Sequence, residues 1–212
     1  MAELPCMQKS KSSMSATKST TPQRRSRPSR QGGAAAVEFA LIVIVFFMFI
    51  FAIIELARLL YAYNTLQDST RRAAGAASTS GFGNPAELDK IRQSAVFRTS
   101  SGTLPLMPEI SDESVRIDYL WLQRGADGSF SMQPVTQASV PASAAQNTAN
   151  CLMDPYSASC VQLVRARICD PKTTGDCVPI NFRPLTSIVQ LEVPLPTAPT
   201  VVKAQSLGFN PD

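Results

Sequence analysis

The side chains best suited to covalent chemistry are four cysteines, Cys151, Cys160, Cys169 and Cys177, gathered late in a chain of 212 residues; a fifth, Cys6, stands alone near the N-terminus. An even number of clustered thiols suits an oxidising compartment and two disulfides. Pairing Cys151 with Cys160 and Cys169 with Cys177 is preferred, because each closes a short loop around turn residues, Asp154-Pro155 and Thr174-Gly175. Nested and crossed pairings stay open. Zinc ligands usually come in pairs about two to four residues apart, whereas the gaps here hold eight, eight and seven residues, so a four-cysteine metal site is disfavoured. The lack of a C-x-x-C pair argues equally against a thiol oxidoreductase.

There is no histidine, which removes Ser-His-Asp and Cys-His catalysis and most catalytic zinc sites. Asp112 and Glu113 could share acid–base work, but adjacent acids soon after Pro108 read more simply as a solvated turn. Gly81-Phe82-Gly83 lacks the third glycine and the preceding strand of a phosphate loop and reads as a turn. No catalytic constellation, metal site or cofactor site emerges, and the chain is read as a non-enzyme.

One acid is out of place. Glu38 interrupts the run from Ala34 to Ile54, AAAVEFALIVIVFFMFIFAII, whose 21 residues match the roughly 20 needed for a helix to cross about 30 Å of hydrocarbon. A carboxylate at mid-bilayer costs about 2.5–3.5 kcal/mol on insertion scales, so such a residue has a partner or reaches the headgroups. The run is too long for a cleaved signal peptide, and Glu55, Leu56, Ala57 and Arg58 follow it instead of small residues. The helix is therefore expected to stay.

Before this run stand Lys9, Lys11, Lys18, Arg24, Arg25, Arg27 and Arg30 against the single acid Glu3. Seven cations and one anion give that segment +6, which leaves −2 for the rest of a chain of net charge +4. The cationic flank places the N-terminus in the cytoplasm and the remainder outside the membrane. The tail has no aromatic residue for base stacking and abuts a hydrophobic run, so no nucleic-acid partner is expected.

Gly33-Ala34-Ala35-Ala36-Val37-Glu38-Phe39 resembles the processing site of tight-adherence (Flp-type) pilins and pseudopilins, in which a glycine is followed by four residues, a glutamate and an aromatic residue. Ile53-Ile54-Glu55-Leu56-Ala57-Arg58-Leu59-Leu60-Tyr61-Ala62 and the Ala-rich stretch from Arg71 to Ala77 resemble the TadE-like family of minor pseudopilins. Pro194 to Thr200 and Gln205-Ser206-Leu207-Gly208 are loosely similar to that family's C-terminal end. The resemblance implies cleavage by a prepilin peptidase between Gly33 and Ala34, with Glu38 and Phe39 becoming the fifth and sixth residues of the mature chain. A freed amine on Ala34 would lie one helical turn from Glu38, where the two can pair within one chain or between neighbours. Cleavage would also remove the basic leader that holds the N-terminus at the cytoplasmic face. A 33-residue leader is long for the family, and Met7 and Met14 are alternative starts.

Those residues need a scaffold, and the periodicity supplies one. Leu56, Leu59, Leu60, Tyr63, Leu66, Thr70, Ala73 and Ala77 share a helical stripe, predicting one helix over 34–77, roughly 66 Å at 1.5 Å per residue. Asn84, Pro85 and Glu87 form the start of a short helix reaching about Phe97. Alternation predicts strands at Val115, Ile117, Tyr119 and Trp121, at Val164, Ala166 and Ile168, and at Val189, Leu191 and Val193, with Asp127-Gly128 as a hairpin turn before Phe130. The Ala/Ser/Gln/Pro-rich stretch 133–150 reads as a surface loop.

The expected organisation is a basic, disordered cytoplasmic leader (1–33), a transmembrane helix continuing as an amphipathic spine (34–77), and an extracytoplasmic disulfide-bearing domain (78–212). The fold class is α+β, a long spine helix followed by a small pilin-like domain with a short helix and an antiparallel sheet. The resemblance implies a minor pseudopilin of the bacterial inner membrane. Its partners would be a prepilin peptidase, the major pilin and other pseudopilins, the inner-membrane platform of the pilus machine, and membrane lipid. The alternative is an uncleaved, membrane-anchored periplasmic binding or sensor module.

Overall fold

Nothing in the sequence from Gly32 to Thr79 breaks a helix: there is no proline, and Ala, Leu and Ile recur throughout. In the computed structural model, which describes residues 32–81, 84–173, 175–185, 192–204 and 207, this stretch is one α-helix, α1, Gly32–Thr79. Near its end the hydroxyls of Ser78 and Thr79 turn back onto the carbonyls of Gly75 and Ala76, offering the backbone an alternative to further turns. The chain divides into two units, Met1–Ile44 and Val45–Asp212. In its described part, the first is the opening of α1.

The second unit carries the rest of α1 and an α+β domain. Helix α2, Pro85–Ala95, starts as expected, with the Asn84 side chain accepting from the Ala86 amide and Pro85 in the first turn. It stops short of Phe97, whose φ of 59° is left-handed. Strands β1, Thr103–Leu104, and β2, Met107–Ser111, form a small hairpin. Strands β3, Val115–Arg124, and β4, Phe130–Pro134, form the hairpin around Asp127-Gly128, where Gly128 sits at φ 84°. Helix α3, Ala144–Met153, is followed by β5, Leu163–Ile168, then by the short pair β6, Asn181–Phe182, and β7, Val193–Pro194, and finally β8, Thr200–Lys203. The main sheet is antiparallel in the order β4-β3-β5-β8.

Alternation along β5 is complete, with Val164, Ala166 and Ile168 buried and Arg165 and Arg167 turned away from the core. The same face of β3 brings Val115, Ile117 and Tyr119 to the core, where burial pushes the Tyr119 hydroxyl up to about 12. Leu120, on the opposite face, is also fully buried. The α3 segment lies over that end of the sheet, where Leu122, Asn147, Cys151 and Leu163 line one hollow.

Two contacts orient the sheet on α1: Thr70 Oγ1 lies 2.9 Å from Thr200 Oγ1, and the Leu207 amide donates to the Ser78 carbonyl. Strand β8 therefore runs along α1 in the same direction. By the strand registers, the Val115–Ile168 end of the sheet faces back toward residues 45–60, and the β3–β4 tip points away.

Three expectations need correction, and a fourth falls mostly outside the described residues. The docked face of α1 is Ala62, Thr65, Leu66, Ser69, Thr70, Ala73, Ala74, Ala77 and Ser78, while Leu56, Leu60 and Tyr63 are exposed. Leu66, Thr70, Ala73 and Ala77 of the expected stripe are buried, but its large N-terminal members Leu56, Leu60 and Tyr63 are not, and the face is completed by small side chains that let the helix backbone approach the sheet. Residues 133–150 are not a plain loop, because Ser143 caps α3 through the Gln146 amide and Ala144-Ala145-Gln146 favour a helix. Asn147 then anchors it, accepting from the Val161 amide at 2.8 Å and donating to the Val161 carbonyl at 3.1 Å. Asp112 is not solvated: it is 8% exposed and accepts from the Ser101 hydroxyl and the Gly102 amide. Of the expected third strand, only Val193 is described, in β7, and Val189 and Leu191 lie outside the described residues. Residues 1–31, Phe82, Gly83 and most of 205–208 also fall outside them.

Candidate functional site

Gly33, Ala34, Glu38 and Phe39 all fall within the first turns of α1. All four are exposed, Phe39 at 69%, and a Cβ on Gly33 would meet nothing within 4 Å. Ala34 and Glu38 lie four residues apart on one helix face. Beyond them the side chains stay bare: an 18-residue window of α1 has mean hydropathy 3.0, and none of it is buried. That is the surface of a helix able to anchor a protein in a membrane, since large apolar side chains left out of a protein core need another apolar solvent.

The bare run ends at Glu55 and Arg58, which are bonded to each other at 3.2 Å. Both are largely covered, with side chains 19% and 11% exposed respectively. Glu55 Oε1 accepts from the Leu185 amide at 2.6 Å. Arg58 donates to the Leu106 carbonyl at 3.1 Å and the Arg183 carbonyl at 3.4 Å, and its guanidinium lies over the Phe182 ring, 5.2 Å from the centroid. Two helix side chains one turn apart thus tie α1 to the β1–β2 turn and to the segment after β6. Each bond pairs a charge with backbone, the stronger sort of hydrogen bond in a half-buried setting. Tyr61 packs against the core on the same side. No local pattern in the sequence pointed to Leu106, Phe182 or Leu185 as partners, because they lie 48 to 130 residues away along the chain.

The cysteines pair as Cys151–Cys160 and Cys169–Cys177, with Cα separations of 4.8 and 4.9 Å. The first bridge ties the end of α3 to the start of β5. The second follows β5, and the Arg116 guanidinium donates to Gly175 within its loop. On the outer face of the sheet Asp118 is shared by Arg165 at 3.0 Å, Arg167 at 2.6 Å and Arg116 at 3.6 Å. These groups are joined across β3 and β5, where opposite-charge neighbours favour the pairing. The geometry ties segments together and presents a bare helix.

Residues 33–75 match the family model of TadE-like proteins. The matched stretch contains Gly33, Glu38, Glu55, Arg58 and Tyr61 and most of the Ala-rich run from Arg71, whereas the loosely similar Pro194 to Thr200 and Gln205 to Gly208 lie outside it. No curated protein and no solved structure matches the chain.

Proposed function

We propose that this protein is a minor pseudopilin-like subunit of a Flp/tight-adherence pilus system, processed by a prepilin peptidase after Gly33 and acting by assembly instead of by chemistry. The observation that carries this reading is the TadE-like match over residues 33–75, which begins at the processing-type motif and covers a helix bare in its first half and docked in its second. The TadE-like family is associated with pilus structure, which supports a role without catalysis. Gly33 is exposed, as a peptidase substrate needs. Removal of the basic leader leaves an amine on Ala34 one turn from Glu38, lowering the cost of carrying that acid through lipid. The subunit stands in the bacterial inner membrane with its domain on the periplasmic side. It meets the peptidase first, then the major pilin, sister pseudopilins and the inner-membrane platform.

The test is N-terminal sequencing and intact mass of protein recovered from host membranes, wild type against Gly33→Leu. The expected result is a chain beginning at Ala34 in the wild type and an uncut chain in the variant. A wild-type chain that keeps residues 1–33 with the peptidase present would overturn the reading and leave an anchored binding or sensor module.

A further inference from the structure

We propose that the domain carries a leucine collar, built from Leu106 and Leu185 beside Leu56 and Leu60, that sits in the headgroup region of the bilayer crossed by α1. The partner is the lipid surface itself. The proposal rests on the reading of α1 as a membrane anchor.

Leu106 and Leu185 are each 69% exposed. Leu106 occupies the β1–β2 turn at φ 63°, a left-handed conformation that favours glycine or asparagine. A leucine there gains nothing from the protein core. Both residues are fixed at the helix exit by the bonds already described: the Leu106 carbonyl accepts from Arg58, and the Leu185 amide donates to Glu55. On the helix, Leu56 and Leu60 are 58% and 57% exposed. Four large apolar side chains thus stand uncovered around one level of α1.

Counting along the helix says what covers them. Ala34 to Ile54 fills the hydrocarbon thickness, and the headgroup layer adds about 5–7 Å on each side, from the difference between roughly 30 Å and 40–45 Å. At 1.5 Å per residue, positions 55–58 begin about 1.5–6 Å beyond Ile54. The turns bonded to Glu55 and Arg58 therefore lie at headgroup depth. Tyr61 and Tyr63 follow directly, the residue type that favours the membrane–water boundary. Arg183, exposed two residues before Leu185, suits lipid phosphates in charge. The β3–β4 tip, at the far end of the sheet, serves as the reference for solvent.

The experiment uses the full chain in lipid vesicles, with Trp121→Phe as background and single tryptophans introduced as Leu106→Trp, Leu185→Trp, Phe47→Trp in the bare helix, and Phe130→Trp beside the hairpin tip. Quenching is read with lipids brominated high or low on the acyl chain. The expected result is a blue-shifted emission at positions 106 and 185, quenched by the shallow label, with position 47 quenched by the deep label and position 130 by neither. If position 47 is quenched while 106 and 185 are not, the collar is wrong and the anchor stands. If position 47 is also unquenched, the anchor fails and the collar with it. Blue shifts at 106 and 185 that ignore brominated lipid and fade as the protein is diluted would assign the collar to a second copy of the chain, overturning the lipid assignment.

Discussion

The two halves of α1 belong to one continuous helix, yet the first leaves its large apolar side chains bare while the second buries small ones. Up to Ile54 the large side chains Phe46, Phe47, Met48 and Phe49 stand at 49–70% exposure. From Ala62 onward the buried positions are mostly alanine, serine and threonine. In water, the second half makes sense as a helix pressed close to a sheet, where small side chains shorten the distance between backbones. The first half, left bare, is long and apolar enough to anchor in a membrane. Size and hydrophobicity therefore do not by themselves say which face of this helix is inside the protein.

The sharpest way to break that contrast is to truncate one residue from each half. Leu66→Ala, in the fully buried face, should destabilise the domain by about 2–5 kcal/mol in denaturant titration, whereas Ile50→Ala, in the bare half, should change domain unfolding by less than about 0.5 kcal/mol. Equal losses would mean that the bare half is packed on the domain after all. The converse probe is Phe47→Arg, expected to cost about 2.5–3.5 kcal/mol of membrane insertion, read as protein lost to the supernatant on alkaline extraction, with the domain's unfolding unchanged.

The boundary between the halves is tested by Glu55→Ala, which strips the acceptor from the Leu185 amide and the partner from Arg58. We expect a loss of about 1–3 kcal/mol and faster amide exchange at Leu185. The smallest effect belongs to Asp68→Ala, which removes an exposed pair with Arg72 and should cost no more than about 0.5 kcal/mol, shrinking further in salt.

What could be read from the sequence follows from the range over which its signals act. The bare helix, the alternation of β5, the Asn84 cap and the Asp127-Gly128 turn are local patterns, each complete within a few residues. The docked face of α1 is half legible: Leu66, Thr70, Ala73 and Ala77 fall on the helical stripe, whereas Ala62, Thr65, Ser69, Ala74 and Ser78 carry little hydrophobicity, and only the sheet they face makes them core. Helix α3 was hidden in low-complexity composition; what fixes it is Asn147 bonded to Val161 and a disulfide to Cys160. For the family-motif pair Glu55 and Arg58, the residue types were visible but the partners were not, since Leu106, Phe182 and Leu185 are brought there by the fold.

Strand β8 has a consequence for order in time. It lies at the edge of the main sheet, and Thr200 is joined to Thr70 across 130 residues. Closing a loop of that length carries an entropy cost of about 4 kcal/mol, and contacts so distant in sequence form late. The docking face of the helix therefore waits, uncovered, until the chain through Thr200 has been made.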